Sequence, residues 1–294
     1  MQTTLVQTTL MQNNPTTALI VGLGDLGTAL AKQLTAEGLQ VIGVRRRVAS
    51  MHGNITVMHA DVTQPASLHG LENVKPDILI YCVAASGQSD AEYKAAYVDG
   101  LRHVLATQHN NAQLKHVFFV SSTRVYGQDV DVLLDESIPA IPADFGGERL
   151  LEAEALLSQL RCGATALRLS GIYGPGRLRM INLAKSPDNW PKQNSWSNRI
   201  HRDDAANFIV FLCKQALVKQ PVESCYIVTD SMPVPQYEVL GWIADATHVD
   251  KPLQVAANGG KRLSNQRLLA TGFKLQYPDY QAGYRALLLQ VAQQ

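Results

Sequence analysis

From residue 18 onward, short apolar runs alternate with stretches whose apolar positions recur at helical spacing. Ala18-Leu19-Ile20-Val21 is a continuous apolar run of strand length, as expected of a strand covered on both faces. Thr28 to Leu34 carries strong helix formers with apolar residues on one face, and Gly38 closes that helix. The same alternation predicts strands at Gln40–Val44, Ile55–Met58, Asp77–Val83, His116–Val120 and Ala164–Leu169. It predicts helices over about Asp90–Gln108 and Gly147–Gln159. Repeated strand–helix–strand units of this length imply a parallel sheet with helices on both faces. In such sheets ligands bind beyond the carboxyl ends of the strands.

After Gly174-Pro175-Gly176 the pattern loosens, with Pro187, Pro191, Trp190 and Trp196 in a loop-rich stretch. A helix over Asp203–Lys214 and a strand at Cys225–Val228 are expected to return to the main sheet. The expected organisation is a disordered tail (residues 1–17), a nucleotide-binding α/β domain (18–178, with 203–230 returning to it), and a small substrate lobe (179–202 and 231–294). The lobe reads as mainly helical. The tail is rich in Gln, Thr and Asn, contains a short Gln-Thr-Thr-Leu repeat, and offers Met11 as a second start. It has no Lys or Arg before residue 18 and so lacks the charged region of a signal peptide.

Composition narrows the function. The chain has 294 residues, 46% hydrophobic and 17% charged, with a formal net charge of +1. A duplex nucleic-acid binder normally carries a larger basic excess, so nucleic acid is not an expected partner. No apolar run approaches the roughly 18 residues of a membrane span, so no membrane association is expected. Four scattered cysteines, without a Cys-x-x-Cys pair, argue against a zinc site and fit a cytoplasmic location.

The chemistry starts at Gly22-Leu23-Gly24-Asp25-Leu26-Gly27, a G-x-G-x-x-G turn between a strand and a helix. Gly22 permits the tight turn, Gly24 lets a pyrophosphate approach the backbone, and Gly27 allows close helix–strand packing. The first turn of the helix, Asp25 and Leu26 included, offers amide donors and a partial positive charge to phosphates. The fold class is therefore α/β, a Rossmann-type doubly wound parallel sheet. The second strand ends in Val44-Arg45-Arg46-Arg47, with no carboxylate to hold a ribose 2′-hydroxyl. Arg45 and Arg46 suit a 2′-phosphate instead, so NADP is expected in preference to NAD.

Several segments, in order, resemble the extended and atypical short-chain dehydrogenases/reductases of the NAD-dependent epimerase/dehydratase family, its YeeZ-like members above all. They are Ala60-Asp61-Val62, Cys82-Val83-Ala84-Ala85, Val120-Ser121-Ser122-Thr123-Arg124-Val125-Tyr126-Gly127, Leu167-Arg168, Ile172-Tyr173-Gly174-Pro175-Gly176, Ile200-His201-Arg202-Asp203-Asp204 and Ser264 through Phe273. The resemblance implies that Asp61 and Val62 meet the adenine. It places Ala84, Ala85, Ser121 and Tyr173 along the cofactor, and Ser122 on the substrate oxygen. It also implies a homodimer formed through the two long helices.

The family's catalytic Tyr-x-x-x-Lys is altered. Phe145 stands at the tyrosine position and Arg149 at the lysine position. Phe cannot exchange a proton, whereas Arg149 can still donate to a ribose. The Asp-Glu pair of the dehydratases is replaced by Thr123 and Arg124, and the interval from Gly176 to Ile200 is short, so a nucleotide-sugar substrate is not expected. Two functions follow. One is an oxidoreductase or epimerase-like enzyme for a small hydroxyl- or carbonyl-bearing metabolite, with Ser122 and Arg149 as its catalytic residues. The other is a non-catalytic NADP(H)-binding redox sensor.

Overall fold

The computed structural model describes residues 15–47, 55–128, 131–253 and 255–293. Most of the expected tail, with its repeat and Met11, lies outside the described residues. Strands are β1 (Thr17–Val21), β2 (Gln40–Arg45), β3 (Ile55–His59), β4 (Ile78–Tyr81), β5 (His116–Ser122), β6 (Leu133–Leu134), β7 (Gly163–Leu169), β8 (Gly171–Tyr173), β9 (Asn194–Ser197), β10 (Arg199–His201), β11 (Cys225–Val228), β12 (Val234–Pro235), β13 (Ala257–Gly260) and β14 (Arg262–Leu263). Helices are α1 (Asp25–Ala36), α2 (Asp90–Tyr93), α3 (Gly100–Thr107), α4 (Phe145–Leu157), α5 (Arg179–Ala184), α6 (Arg202–Leu217), α7 (Gln236–Ala246), α8 (Gln266–Ala270) and α9 (Tyr280–Ala292).

Among the described residues, seven strands form one sheet in the order β11-β7-β5-β4-β1-β2-β3, with every pair parallel. The order reverses between β1 and β4, which opens a crevice at their carboxyl ends. Alternation along each strand sends side chains to opposite layers. Ala18 and Ile20 pack with Leu30, Leu34, Phe208 and Ile209 of α1 and α6. Leu19 and Val21 pack with Val98, Leu101 and Leu150 on the α3 and α4 side. Both faces of the central strands β1 and β4 are thus dry, which explains their continuous apolar runs.

The expected helix over 90–108 is α2 and α3 joined by a π-helical segment, Lys94–Asp99. Helix α4 starts two residues earlier than the sequence pattern indicated. The cause is Asp144, whose carboxylate accepts the Gly147 amide at 3.0 Å and caps the helix.

A third core, including Tyr173, Trp190, Tyr237, Leu240 and Tyr284, holds the second lobe together. This lobe is mixed in structure. Helices α5, α7 and α9 lie with a three-stranded sheet, β12-β9-β13, that the sequence pattern did not reveal. Its strands are two to four residues long and read Asn-Ser-Trp-Ser, Val-Pro and Ala-Asn-Gly-Gly, too short and polar for a two-residue period. Asp204 ties the last segment to α6. Its buried carboxylate accepts the Gln276 and Tyr277 amides, both at 2.8 Å. Among the described residues no helix is long and apolar enough to cross a membrane.

Asp230, two residues beyond β11, is 1% exposed. Burial pushes its carboxyl up to about 7, against the pull of the Arg199 charge and the Met232 amide. The folded chain therefore keeps a proton that the unfolded chain releases near the ordinary aspartate value. The stability this gives is full at acid pH and is lost as pH rises from about 4 to about 7. Asp230→Asn is expected to be more stable relative to wild type at pH 8 than at pH 5, by about 2–3 kcal/mol. Urea unfolding of both proteins at the two pH values checks this.

Candidate cofactor and active site

The glycine turn closes the crevice from below. Gly22 has φ +105° and sits against β4: a Cβ there would run into the Cys82 carbonyl and stand 2.9 Å from the Val83 nitrogen. Its amide and that of Leu23 both donate to the Val44 carbonyl, at 2.9 and 3.0 Å. A Cβ on Gly27 would strike the Gly22 carbonyl, so the helix can approach the turn only with glycine there. Gly24 by contrast faces open space. Helix α1 starts after Gly24 with no side-chain cap, which leaves its first amides for an anion. Leu26 is buried in the core, so it can serve a ligand only through its backbone.

The crevice holds a cavity of about 1140 Å³. Ordinary small-molecule pockets run to roughly 1,000 Å³, so there is room for a dinucleotide. Gly22 and Gly24, Arg45, Arg46 and Arg47, Asp61 and Val62, and Ala84 and Ala85 all line it. Asp61 is held by its own turn, its Oδ1 accepting the Thr63 amide and hydroxyl at 2.9 and 2.8 Å. The Val62 carbonyl accepts from His103 Nδ1 at 2.9 Å, and the Ala85 amide donates to the Tyr97 hydroxyl at 3.5 Å.

An adjoining cavity of about 620 Å³ is lined by Asp25, Thr28, Lys32, Arg45 and Arg202, among others. Here Asp25 pairs with Arg177 at 2.6 Å and Arg202 at 3.0 Å. Burial raises its carboxyl, but the two guanidiniums outweigh that and hold it below the ordinary range. Sequence reasoning missed this clasp. Its one local signal is Arg177 directly after Gly174-Pro175-Gly176.

The remaining expected site residues divide. Ser122 ends β5 half-buried and, like Arg149, does not line the cavity; its hydroxyl accepts the Arg124 amide at 3.2 Å, leaving its own proton to give. Phe145 opens α4, with its ring edge-on to Tyr93 at 5.5 Å. Arg149 is engaged elsewhere: it pairs with Asp90 at 2.7 and 2.9 Å and with Glu152 at 2.7 Å, and does not line the cavity. Ser121 is buried and donates to Glu154 at 2.6 Å. Glu154 accepts from Nε and Nη2 of Arg168, whose Nη1 in turn donates to the Tyr126 hydroxyl at 2.6 Å. Burial pushes that hydroxyl up to about 12. Ser121 and Tyr126 therefore belong to a packing network under the crevice.

Tyr173 also lies away from the cavity. It stacks on Tyr284 at 4.4 Å and meets His201 edge-on at 5.2 Å, and its hydroxyl is packed against Gly283. His201 caps α6, its Nδ1 accepting the Asp203 amide at 3.2 Å. Burial pulls its pKa down to about 4, so it is neutral near pH 7.

The reversed strand order, the glycine turn and the lined crevice define a dinucleotide-binding α/β protein. The chain belongs to the NAD dependent epimerase/dehydratase family, whose model matches residues 18–223. Protein YeeZ of Escherichia coli (strain K12) is 29% identical over 205 residues, 66% of this chain and 71% of that protein. A Methylobacillus flagellatus protein, described as a candidate NAD-dependent epimerase/dehydratase, is 48% identical, with a TM-score of 0.87 over 95% of this chain and 100% of that one. The fold is shared more distantly with WbmG of Bordetella bronchiseptica, solved with NAD and UDP: 18% identity and TM-score 0.73, covering 90% and 91% of the two chains.

Proposed function

We propose that the chain is a cytoplasmic NADP(H)-dependent oxidoreductase or epimerase-like enzyme acting on a small metabolite with a hydroxyl or carbonyl group. The observation that carries this is the lining of the crevice. Arg45, Arg46 and Arg47 stand at the end of the second strand beside the glycine turn, with no Asp or Glu among them. Guanidinium groups match a 2′-phosphate through paired hydrogen bonds, whereas a bare 2′-hydroxyl needs an acceptor. Arg45 also borders the smaller cavity with Lys32 and Thr28, which gives a phosphate room and a second cation.

When bound, the nicotinamide supplies or accepts a hydride at the substrate carbon. Within the chain, the first amides of α1 hold the pyrophosphate and Asp61 and Val62 flank the adenine. Ser122 donates to the substrate oxygen. Phe145 carries no proton, so a water or another side chain serves in its place. A screen of carbonyl compounds with NADPH, followed at 340 nm, tests this. Ser122→Ala is expected to lower turnover at least a hundredfold, as loss of one donor to a reacting oxygen does elsewhere, with NADPH affinity unchanged. Unchanged turnover would remove Ser122 from the chemistry.

One observation favours a sensor instead: with Phe145 in place and Arg149 tied to Asp90 and Glu152, no phenol–cation pair faces the cavity from α4. A sensor would bind NADPH and NADP⁺ with clearly different affinities and turn over nothing in the screen.

A further inference from the structure

We infer that the substrate of this site carries an anionic group, a carboxylate or a phosphate, that pairs with Arg124. This rests on the crevice being the reactive site, as proposed above. Arg124 sits two residues beyond Ser122, on the short 3-10 turn Thr123–Val125 that follows β5; it lies outside the cavity lining and packs on Tyr93, next to Ala91 and Glu92, which line it. Its guanidinium lies over the ring of Tyr93 at 4.9 Å and over that of Phe145 at 5.4 Å. It therefore stands beside the ring whose missing hydroxyl would have carried the proton.

The placement is built rather than incidental. Arg124 Nε donates to both Asp144 oxygens, at 2.9 and 3.1 Å, and Nη1 donates to the Tyr93 hydroxyl at 2.6 Å. The fork is thus fixed by two partners and two aromatic faces. Gly146 completes the cradle. Its φ lies outside the left-handed region, so no turn requires glycine there. A Cβ would instead stand 2.6 Å from Arg124 Nε and 2.7 Å from Nη1. Glycine at this position serves to admit the guanidinium.

The Nη2 edge has no hydrogen-bond partner among the described residues, and the side chain is 31% exposed. A planar fork with one open edge matches a carboxylate or phosphate oxygen. Asp144 takes only the Nε donor of the guanidinium and leaves Nη2 for a ligand. Lys261, reaching in from the second lobe to donate to the Tyr126 carbonyl, lies close enough to feel Asp144 as well. Burial lowers that ammonium to about 8, so it is largely cationic at neutral pH. The short path from Ser122 to Arg124 sets the anionic group close to the reacting carbon, as in a hydroxy acid, a keto acid or a small phosphate ester.

Calorimetry on the NADP⁺-loaded protein tests this with three probes: malonate, inorganic phosphate, and malonamide as the uncharged match to malonate. Binding of malonate or phosphate at least tenfold tighter than malonamide is expected. Arg124→Gln and Gly146→Ala should each erase that preference while keeping NADP⁺ affinity within twofold. The tighter of the two anions assigns carboxylate or phosphate ester. Equal binding of malonamide, or an anion preference that survives Arg124→Gln, overturns the inference. If no nicotinamide nucleotide binds, the proposed function fails on its own. The same titrations on the unliganded chain then still decide whether Arg124 receives an anion.

Discussion

Glu154→Ala is expected to destabilise the fold by about 3 kcal/mol, lowering Tm by about 5 °C. Glu154 and Arg168 pair at 2.7 Å with side chains only 11% and 12% exposed. Burial alone pulls the Arg168 charge toward neutrality, and the Glu154 contact outweighs it. Removing the carboxylate leaves a guanidinium on Tyr126 with no counter-charge, and takes the acceptor from the buried Ser121 hydroxyl. Desolvating an unpaired charge costs far more than the pair contributes when intact. The double variant Glu154→Leu with Arg168→Met should therefore be less destabilised than Glu154→Ala. Chemical unfolding of the three proteins measures this. A loss below 1 kcal/mol in Glu154→Ala would mean that Arg168 finds water or another partner.

The second large effect is at the turn. Gly22→Ala is expected to weaken NADPH binding about a hundredfold and to cost about 2–4 kcal/mol of stability. Two causes add. The backbone at φ +105° is strained for any residue with a Cβ, at about 1–3 kcal/mol. The new methyl also meets the Cys82 carbonyl and can be relieved only by parting β1 from β4. That movement breaks the hydrogen bonds from Gly22 and Leu23 to Val44 and shifts the amides of α1. Losing one amide donor to a phosphate, about 1.5–3 kcal/mol, is enough for a loss near a hundredfold. Gly24→Ala, where nothing lies within 4 Å of the new carbon, is the control: it should leave stability unchanged. Fluorescence titration with NADPH and thermal unfolding read both effects.

Much of this was legible in the sequence because the relevant forces are local. Strands β1, β4 and β5 are covered on both faces, so each is built around a continuous apolar run: 18–21, 78–81 and 117–120. The glycine turn follows from covalent geometry, and Arg45 to Arg47 line the crevice simply by following β2. What was not legible depends on partners distant in the chain. Arg149 meets Asp90 across 59 residues, and Ser121 meets Glu154 across 33. Each motif position was readable, but the direction of its side chain is set by the helix packed beside it. Tyr173 turns to Tyr284 and Gly283 because α9 completes that core. The clasp of Asp25 by Arg177 and Arg202 joins residues 152 and 177 positions apart. Arg124 marked a departure from the dehydratases in sequence. Its cradle became visible only when Tyr93, Phe145 and Gly146 came together.

The most direct test is a calorimetric titration of the purified protein with NADPH and with NADH, repeated on Arg45→Ala. NADPH should bind at least tenfold tighter than NADH, a difference of about 1.4 kcal/mol. Arg45→Ala should remove most of that advantage while leaving NADH affinity within about threefold. NADH binding equal to or tighter than NADPH would contradict the 2′-phosphate reading of Arg45. Failure of both to bind would contradict the assignment of the crevice as a nicotinamide nucleotide site.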